Sequence, residues 1–114
     1  FPNLRDLRGR LAGRISGGEQ QMLSIARTLM GNPEMIILDE PSEGLAPVIV
    51  EQLAQTIQRL KSEGVSILLA EQNLEVALRL SDRGYIIDNG VIRWSGTGDD
   101  LRHNKEVRDK YLCV

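Results

Sequence analysis

The sequence predicts an α/β fold: a parallel sheet with crossover helices, ending in a β-hairpin and a helix. Three observations lead there. Two short apolar runs, Met35-Ile36-Ile37-Leu38 and Val65 to Ala70, are separated by a helical pattern, which is the rhythm of a β-α-β unit. Further helical patterns precede the first run and follow the second. Near the end, Tyr85 to Asp88 and Val91 to Trp94 flank Asn89-Gly90, a dipeptide that supplies the two positive φ values of a type I′ hairpin turn.

The first helix starts at Ser16, spaced from Glu19 as a capping box. Met22, Ile25, Ala26 and Leu29 recur at steps of three and four and mark its buried side to about Met30. Gly31-Asn32-Pro33 ends it, with Gly31 expected to take the left-handed cap and Pro33 preventing continuation. The run 35–38 reads as a strand buried on both faces, with Asp39 and Glu40 at its C-terminal end. Residues 41–47 form a loop rich in breakers, and Pro47 suits the first turn of the next helix. Ile49, Leu53, Ile57 and Leu60 form that helix's stripe, and Gly64 its C-terminal cap. Val65 to Ala70 reads as a second buried strand, followed by a helix over 74–80. After the hairpin, Thr97 to Asp100 caps a single last helix, roughly 99–112, anchored by Leu101, Val107, Tyr111 and Leu112.

Composition narrows the function. A chain of 114 residues fits one small domain, and 41% hydrophobic residues support a packed core. A net charge of -2 gives no field that would attract nucleic acid. Arg5, Arg8, Arg10 and Arg14 cluster early against Asp6 and read as a solvated face. A lone Cys113 excludes an intrachain disulfide and points to a reducing compartment. The apolar runs are too short to span a bilayer, and no secretory leader is expected. The opening FPNLRDL has no initiator Met and reads as a processed product or a piece of something longer.

Asp39 and Glu40 are the sharpest chemical feature. Carboxylates at the end of a buried strand are costly to desolvate unless paired or bound to a cation. Open parallel sheets place ligands at that end. One carboxylate can hold Mg²⁺ through water, and its neighbour can orient or deprotonate a water; a helix cap or surface pair is the other reading. Ser16-Gly17-Gly18 offers backbone N–H groups at a helix N-terminus, a place for an anion or a plain cap.

Together these pieces resemble a known family. RISGGEQQMLSIARTLMGNPEMIILDEPSEGLAP, residues 14–47, looks like the signature motif, Walker B strand and D-loop of an ATP-binding cassette ATPase. Closer still, it resembles the cassette subunits of importers for branched-chain amino acids and urea-type solutes. Ile15 stands where the usual Leu-Ser-Gly-Gly has Leu. Ser42-Glu43-Gly44-Leu45-Ala46-Pro47 has the form of the branched-chain subgroup. Where most cassettes carry a switch His, this chain has Gln72, within Glu71-Gln72-Asn73, as that subgroup does. Gln72 can donate to a phosphate oxygen but cannot act as an imidazole acid or base. The only histidine, His103, falls in the last charged helix and reads as a surface residue.

The resemblance implies a P-loop NTPase-like fold and roles for particular residues. Two cassettes pack head to tail around two ATP molecules. Ser16, Gly17 and Gly18, followed by Glu19 and Gln20, would face the γ-phosphate held by the partner's Walker A loop. Asp39 would help hold Mg²⁺ through water, and Glu40 would activate the attacking water. Ser42 to Leu45 of the D-loop, with Ser42 and Gly44 as the site residues, would report across the interface. The implied function is the ATP-binding and ATP-hydrolysing part of an importer, with permease subunits as partners at the inner face of the cell membrane. No membrane insertion and no nucleic-acid partner are implied.

The 114 residues contain no GxxxxGK[ST], the sequence that cradles phosphates and carries the P-loop Lys. They are therefore expected to be the C-terminal half of a cassette: 1–13 ending the helical-subdomain connection, 14–47 carrying signature, Walker B and D-loop, and 48–114 the C-terminal α/β part. Alone, this half is expected to bind ATP weakly, to be inactive, and to self-associate through exposed strand edges. The alternative is a catalytically inactive interaction or structural fragment.

Overall fold

A computed structural model describes residues 1–9, 13 and 16–112. Arg10, Arg14, Ile15 and Cys113 lie outside the described residues, and with them part of the basic cluster and the Leu-to-Ile position of the signature. Arg5 and Arg8 are exposed, as expected of a solvated face. The chain divides into two compact units, 1–71 and 72–114.

The first unit holds α1 (Pro2–Arg5), α2 (Gly17–Leu29), β1 (Met35–Asp39), α3 (Pro47–Ser62) and β2 (Ser66–Ala70). In α2, the Ser16 hydroxyl accepts the Glu19 N–H, and the Glu19 carboxylate accepts the Ser16 N–H, both at 3.2 Å. The capping box read from the sequence is therefore complete. The helix stops at Leu29, and Asn32 (φ 50°), not Gly31, takes the left-handed position. Asn tolerates that region through its short polar side chain, and its N–H donates to the Leu29 carbonyl at 2.9 Å. Pro47 opens α3. Gly64 (φ 91°) closes it in a Schellman arrangement: the Val65 N–H reaches the Leu60 carbonyl and the Gly64 N–H reaches that of Lys61.

β1 and β2 pair in parallel, with Met35 opposite Ser66 and Asp39 opposite Ala70. This is the predicted crossover unit, with one correction. Neither strand is buried on both faces. Ile36 and Leu38 are buried, whereas Met35 and Ile37 on the opposite face are exposed, as is Leu68 on β2. The core of this unit is one-sided, built from Met22 and Ile25 of α2, Ile36 and Leu38 of β1, and Leu53, Ala54, Ile57 and Leu60 of α3. Leu53 and Ile57, each 1% exposed, contribute about 1.5–3 kcal/mol apiece by burial.

The second unit holds α4 (Leu74–Leu80), β3 (Arg83–Asp88), β4 (Val91–Thr97), α5 (Gly98–His103), α6 (Lys105–Val107) and a π-helical turn, Arg108–Leu112. β3 and β4 form an antiparallel hairpin turned at Asn89 (φ 50°) and Gly90 (φ 77°), as predicted, with an irregularity at Ile86/Ile87. Val76, Leu80, Ile86 and Leu101 are its buried apolar residues.

The single last helix is a second correction. Thr97 and Asp100 form the expected capping box, but α5 stops at His103. The Asn104 side chain then accepts the Val107 N–H at 3.1 Å and starts a new turn. An Asn offering its own side chain to the backbone competes with helix continuation. Leu101 is buried, while Val107, Tyr111 and Leu112 are only half-buried.

Candidate functional site

Parallel pairing sets the site. β1 and β2 run the same way, so their C-terminal ends lie side by side and bring residues 39–43 next to residues 70–71. The Glu40 N–H continues the ladder by donating to the Ala70 carbonyl at 2.7 Å. Glu40 itself has φ 46°, a left-handed backbone uncommon for a residue other than glycine. Such outliers persist where the surroundings hold them, often at functional positions. Pro41 and Ser42 are buried directly after it. The Ser42 N–H donates to Glu71 Oε2 at 3.3 Å, and the Glu43 N–H returns to the Glu40 carbonyl at 3.1 Å. Gly44 (φ 73°) turns the loop toward α3.

The site is strongly acidic. A hydrogen bond with the Glu43 carboxyl is the first cause that raises the Glu40 pKa above its ordinary value. The negative charge of Glu43, partial burial, and the charges of Asp39 and Glu71 push the same way. A carboxylate with raised proton affinity is a better base near neutral pH than an ordinary one. Asp39 also lines an open groove of about 250 Å³ with Gln21, Ser24, Thr28 and Ile37.

Hard carboxylate oxygens suit Mg²⁺. Among the described residues no three His, Cys, Asp or Glu side chains converge to hold a metal. A single carboxylate such as Asp39 fits an ion that keeps most of its waters and takes phosphate oxygens as well.

The signature turn lies in the same unit. Gln20 N–H bonds to the Ser16 carbonyl at 2.8 Å and Glu19 N–H to the Ser16 hydroxyl, which leaves the Gly17 and Gly18 N–H groups as the donors at the tip of α2. Gly17 faces Leu45 of the loop after Glu40: a methyl placed on it would lie 3.8 Å from Leu45 Cδ2. Gly18 is buried against Ile49 in the first turn of α3. Thus Gly17 and Gly18 abut Leu45 and Ile49, in the segment that follows Asp39, Glu40, Ser42 and Gly44. Glu19 is turned back onto Ser16, and the Gln20 side chain is exposed.

Gln72 is exposed and opens the second unit. Asn73, beside it, caps α4 by accepting the Val76 N–H at 3.2 Å. His103 is exposed, with Nδ1 2.8 Å from the Asp99 carbonyl. Sequence reasoning missed Glu71 as a site residue, and it placed Glu43 in the D-loop without its pairing to Glu40. Glu71 was legible in one way, as an acid at the end of the strand predicted to lie parallel to the one ending in Asp39-Glu40.

Comparison with known proteins agrees with the fold. The ABC transporter family profile matches residues 3–43. The chain is 50% identical over 98% of its length to the high-affinity branched-chain amino acid transport ATP-binding protein BraG of Pseudomonas aeruginosa, covering 48% of that protein. It is 37% identical over its full length to the probable branched-chain amino acid transport ATP-binding protein LivF of Archaeoglobus fulgidus, again covering 48% of it. The chain thus spans about half the length of these curated relatives. Among solved structures, a nucleotide-free ATP-binding cassette from an ABC transporter superposes with a TM-score of 0.87 at 34% identity, over 96% of this chain and 44% of that one. The motif spacing, the fold and these likenesses agree: the chain has a P-loop NTPase-like fold and is closely similar to the ATP-binding cassettes of ABC transporters, and among them to those of branched-chain amino-acid transport.

Proposed function

We propose that this chain is the C-terminal part of a cassette that hydrolyses ATP to drive an importer for branched-chain amino acids. The observation that carries the reading is the end of β1, where Glu40 is held in a left-handed backbone and made more basic by the carboxylates around it. Glu40 accepts a proton from water as the water oxygen forms its bond to the γ-phosphorus. The bond from that phosphorus to the bridging oxygen breaks, and ADP leaves with the electron pair. Asp39 would hold Mg²⁺ through water, and the ion would neutralise charge on the phosphate oxygens. Ser16 and the N–H groups of Gly17 and Gly18 face the γ-phosphate of an ATP bound by a second cassette packed head to tail. Glu19 keeps Ser16 in place, and Gln20 lies on the same turn. Ser42 and Gly44 carry the loop to the dimer interface, and Gln72 donates to the phosphate as the switch residue.

The relatives named for branched-chain amino-acid transport support that cargo. Permease subunits are the expected partners, on the cytoplasmic side of the membrane. Among the described residues no helix is long and apolar enough to cross a bilayer.

Glu40→Gln in a complete cassette carrying these residues tests the proposal. Turnover should fall about 10²-fold or more with ATP affinity kept, as expected for loss of a general base. Hydrolysis above about a third of the parent rate defeats the assignment. Calorimetric titration of the 114-residue chain alone with Mg-ATP should give weak or no binding. A one-to-one isotherm with Kd near or below roughly 10 μM (about -6.8 kcal/mol) contradicts the reading of this chain as a half-site.

A further inference from the structure

We infer that Ile49, with Leu45, is a positioning residue that seats the Ser16-Gly17-Gly18 turn, and that Gly18 is glycine because the Ile49 side chain occupies the space of a Cβ. The inference rests on the proposed role of that turn, and the geometry is specific. A methyl built on Gly18 would overlap Ile49 Cγ2, and would lie 3.3 Å from Ile49 Cβ and 3.4 Å from Cγ1. Those atoms belong to the stiff branch point of Ile49, beside the α3 backbone, so they cannot swing away like the end of a long chain. At Gly17 the corresponding neighbour, Leu45 Cδ2, stays at an ordinary 3.8 Å.

The two glycines therefore differ. Gly17 is exposed and tolerates a side chain sterically, whereas Gly18 is buried and does not. α2 comes down on α3 until the Gly18 α-carbon meets Ile49. Further along, Thr56 of α3 reaches Met22 of α2, with Oγ1 3.9 Å from Sδ. This second contact sets the direction of α2, while Ile49 sets the height of its first turn. That height fixes where the Ser16 hydroxyl and the Gly17 and Gly18 N–H groups point. Ile49 sits two residues past Pro47, the start of α3, so the segment leaving Glu40 also carries the seat of the turn. A misplacement of an ångström in such a group can cost a hundredfold in rate.

Reciprocal substitution tests this. The 114-residue chain and a complete cassette carrying it are each prepared as parent, Gly18→Ala, Ile49→Ala, the double variant and Ile49→Val. In the complete cassette, Gly18→Ala should lower kcat about 10-fold or more with KM for ATP little changed. Ile49→Ala should cost less, and the double variant should return to within about 3-fold of Ile49→Ala, because the vacated space accepts the new methyl. Ile49→Val keeps Cβ and both γ-carbons and should stay within about 2-fold of the parent.

In the 114-residue chain, exchange of the Glu19 amide held by Ser16 should speed up in Gly18→Ala and recover in the double variant. If the double variant is as impaired as Gly18→Ala in both measurements, or Gly18→Ala resembles the parent, Ile49 does not seat the turn. If the parent cassette fails to hydrolyse ATP, the proposed function falls, and the amide-exchange set alone decides the seat.

Discussion

The two strand pairs use similar residues to opposite effect. β3 and β4 turn back at Asn89-Gly90, so each end of that pair combines one strand's start with the other's finish. Its ends carry Arg93 beside Asp88 at 3.9 Å and Arg83 over the Tyr85 ring at 5.7 Å. These are exposed contacts of small energetic weight. β1 and β2 run the same way and need all of α3 between them. In return, both strands finish at one place, and the acids at and just past each finish, Asp39-Glu40 and Glu71, are gathered there. Parallel pairing concentrates like charge at one end of a sheet, and the hairpin disperses it. The chemistry proposed for this chain therefore belongs to the pair that is harder to assemble.

That contrast can be broken in several ways. Ile57→Ala should cost about 2–5 kcal/mol, as buried aliphatic truncations do. It should speed amide exchange in residues 16–71 before it does so in residues 72–112, while Ile86→Ala should do the reverse. Equal responses in both regions would mean one cooperative core.

A smaller effect sharpens the functional side. Each unit has one complete capping box, Ser16 with Glu19 and Thr97 with Asp100. Ser16→Ala and Thr97→Ala should each lose about 1 kcal/mol in thermal or denaturant melts. Only Ser16→Ala should also slow ATP turnover in a complete cassette, and a matching loss with Thr97→Ala would contradict the division of labour.

The smallest effect is electrostatic. Folding raises the Glu40 carboxyl, so the folded state holds that proton more tightly than the unfolded one. The stability this contributes is present at low pH and lost as pH rises through the raised value. Glu43→Ala removes both the hydrogen bond and the charge and should move the Glu40 midpoint down, as followed by carbon NMR of the side-chain carboxyl. An unmoved midpoint would show that Glu43 is not the controlling neighbour.

Most of the fold was legible because local signals were strong and consistent. Ser16 and Glu19, Pro47, Gly64 and Asn89-Gly90 each announce a boundary by its own chemistry. The errors have physical sources. A run such as Met35-Ile36-Ile37-Leu38 reports apolar content but not which layer covers it, and here the helices cover one face. Asn104 was a readable interruption, lost because the charged stretch around it looked uniformly helical. In the site, Asp39 and Glu40 were legible as acids closing an apolar run and Ser16-Gly17-Gly18 as a glycine-rich helix start, while the roles assigned to them came from the family resemblance. The contact between Gly18 and Ile49 was out of reach, since two residues 31 positions apart meet only once α2 and α3 have packed.

The left-handed backbone at Glu40 has a consequence for how this sequence responds to selection. Gly and Asn occupy that region more readily than Glu, so the position works against its own local preference. A library randomised at residue 40 and sorted for folding alone should drift toward Gly and Asn. The same library sorted for ATP turnover in a complete cassette should return Glu. Screens that reward only thermal endurance will therefore tend to discard the side chain proposed to do the work at this strand end.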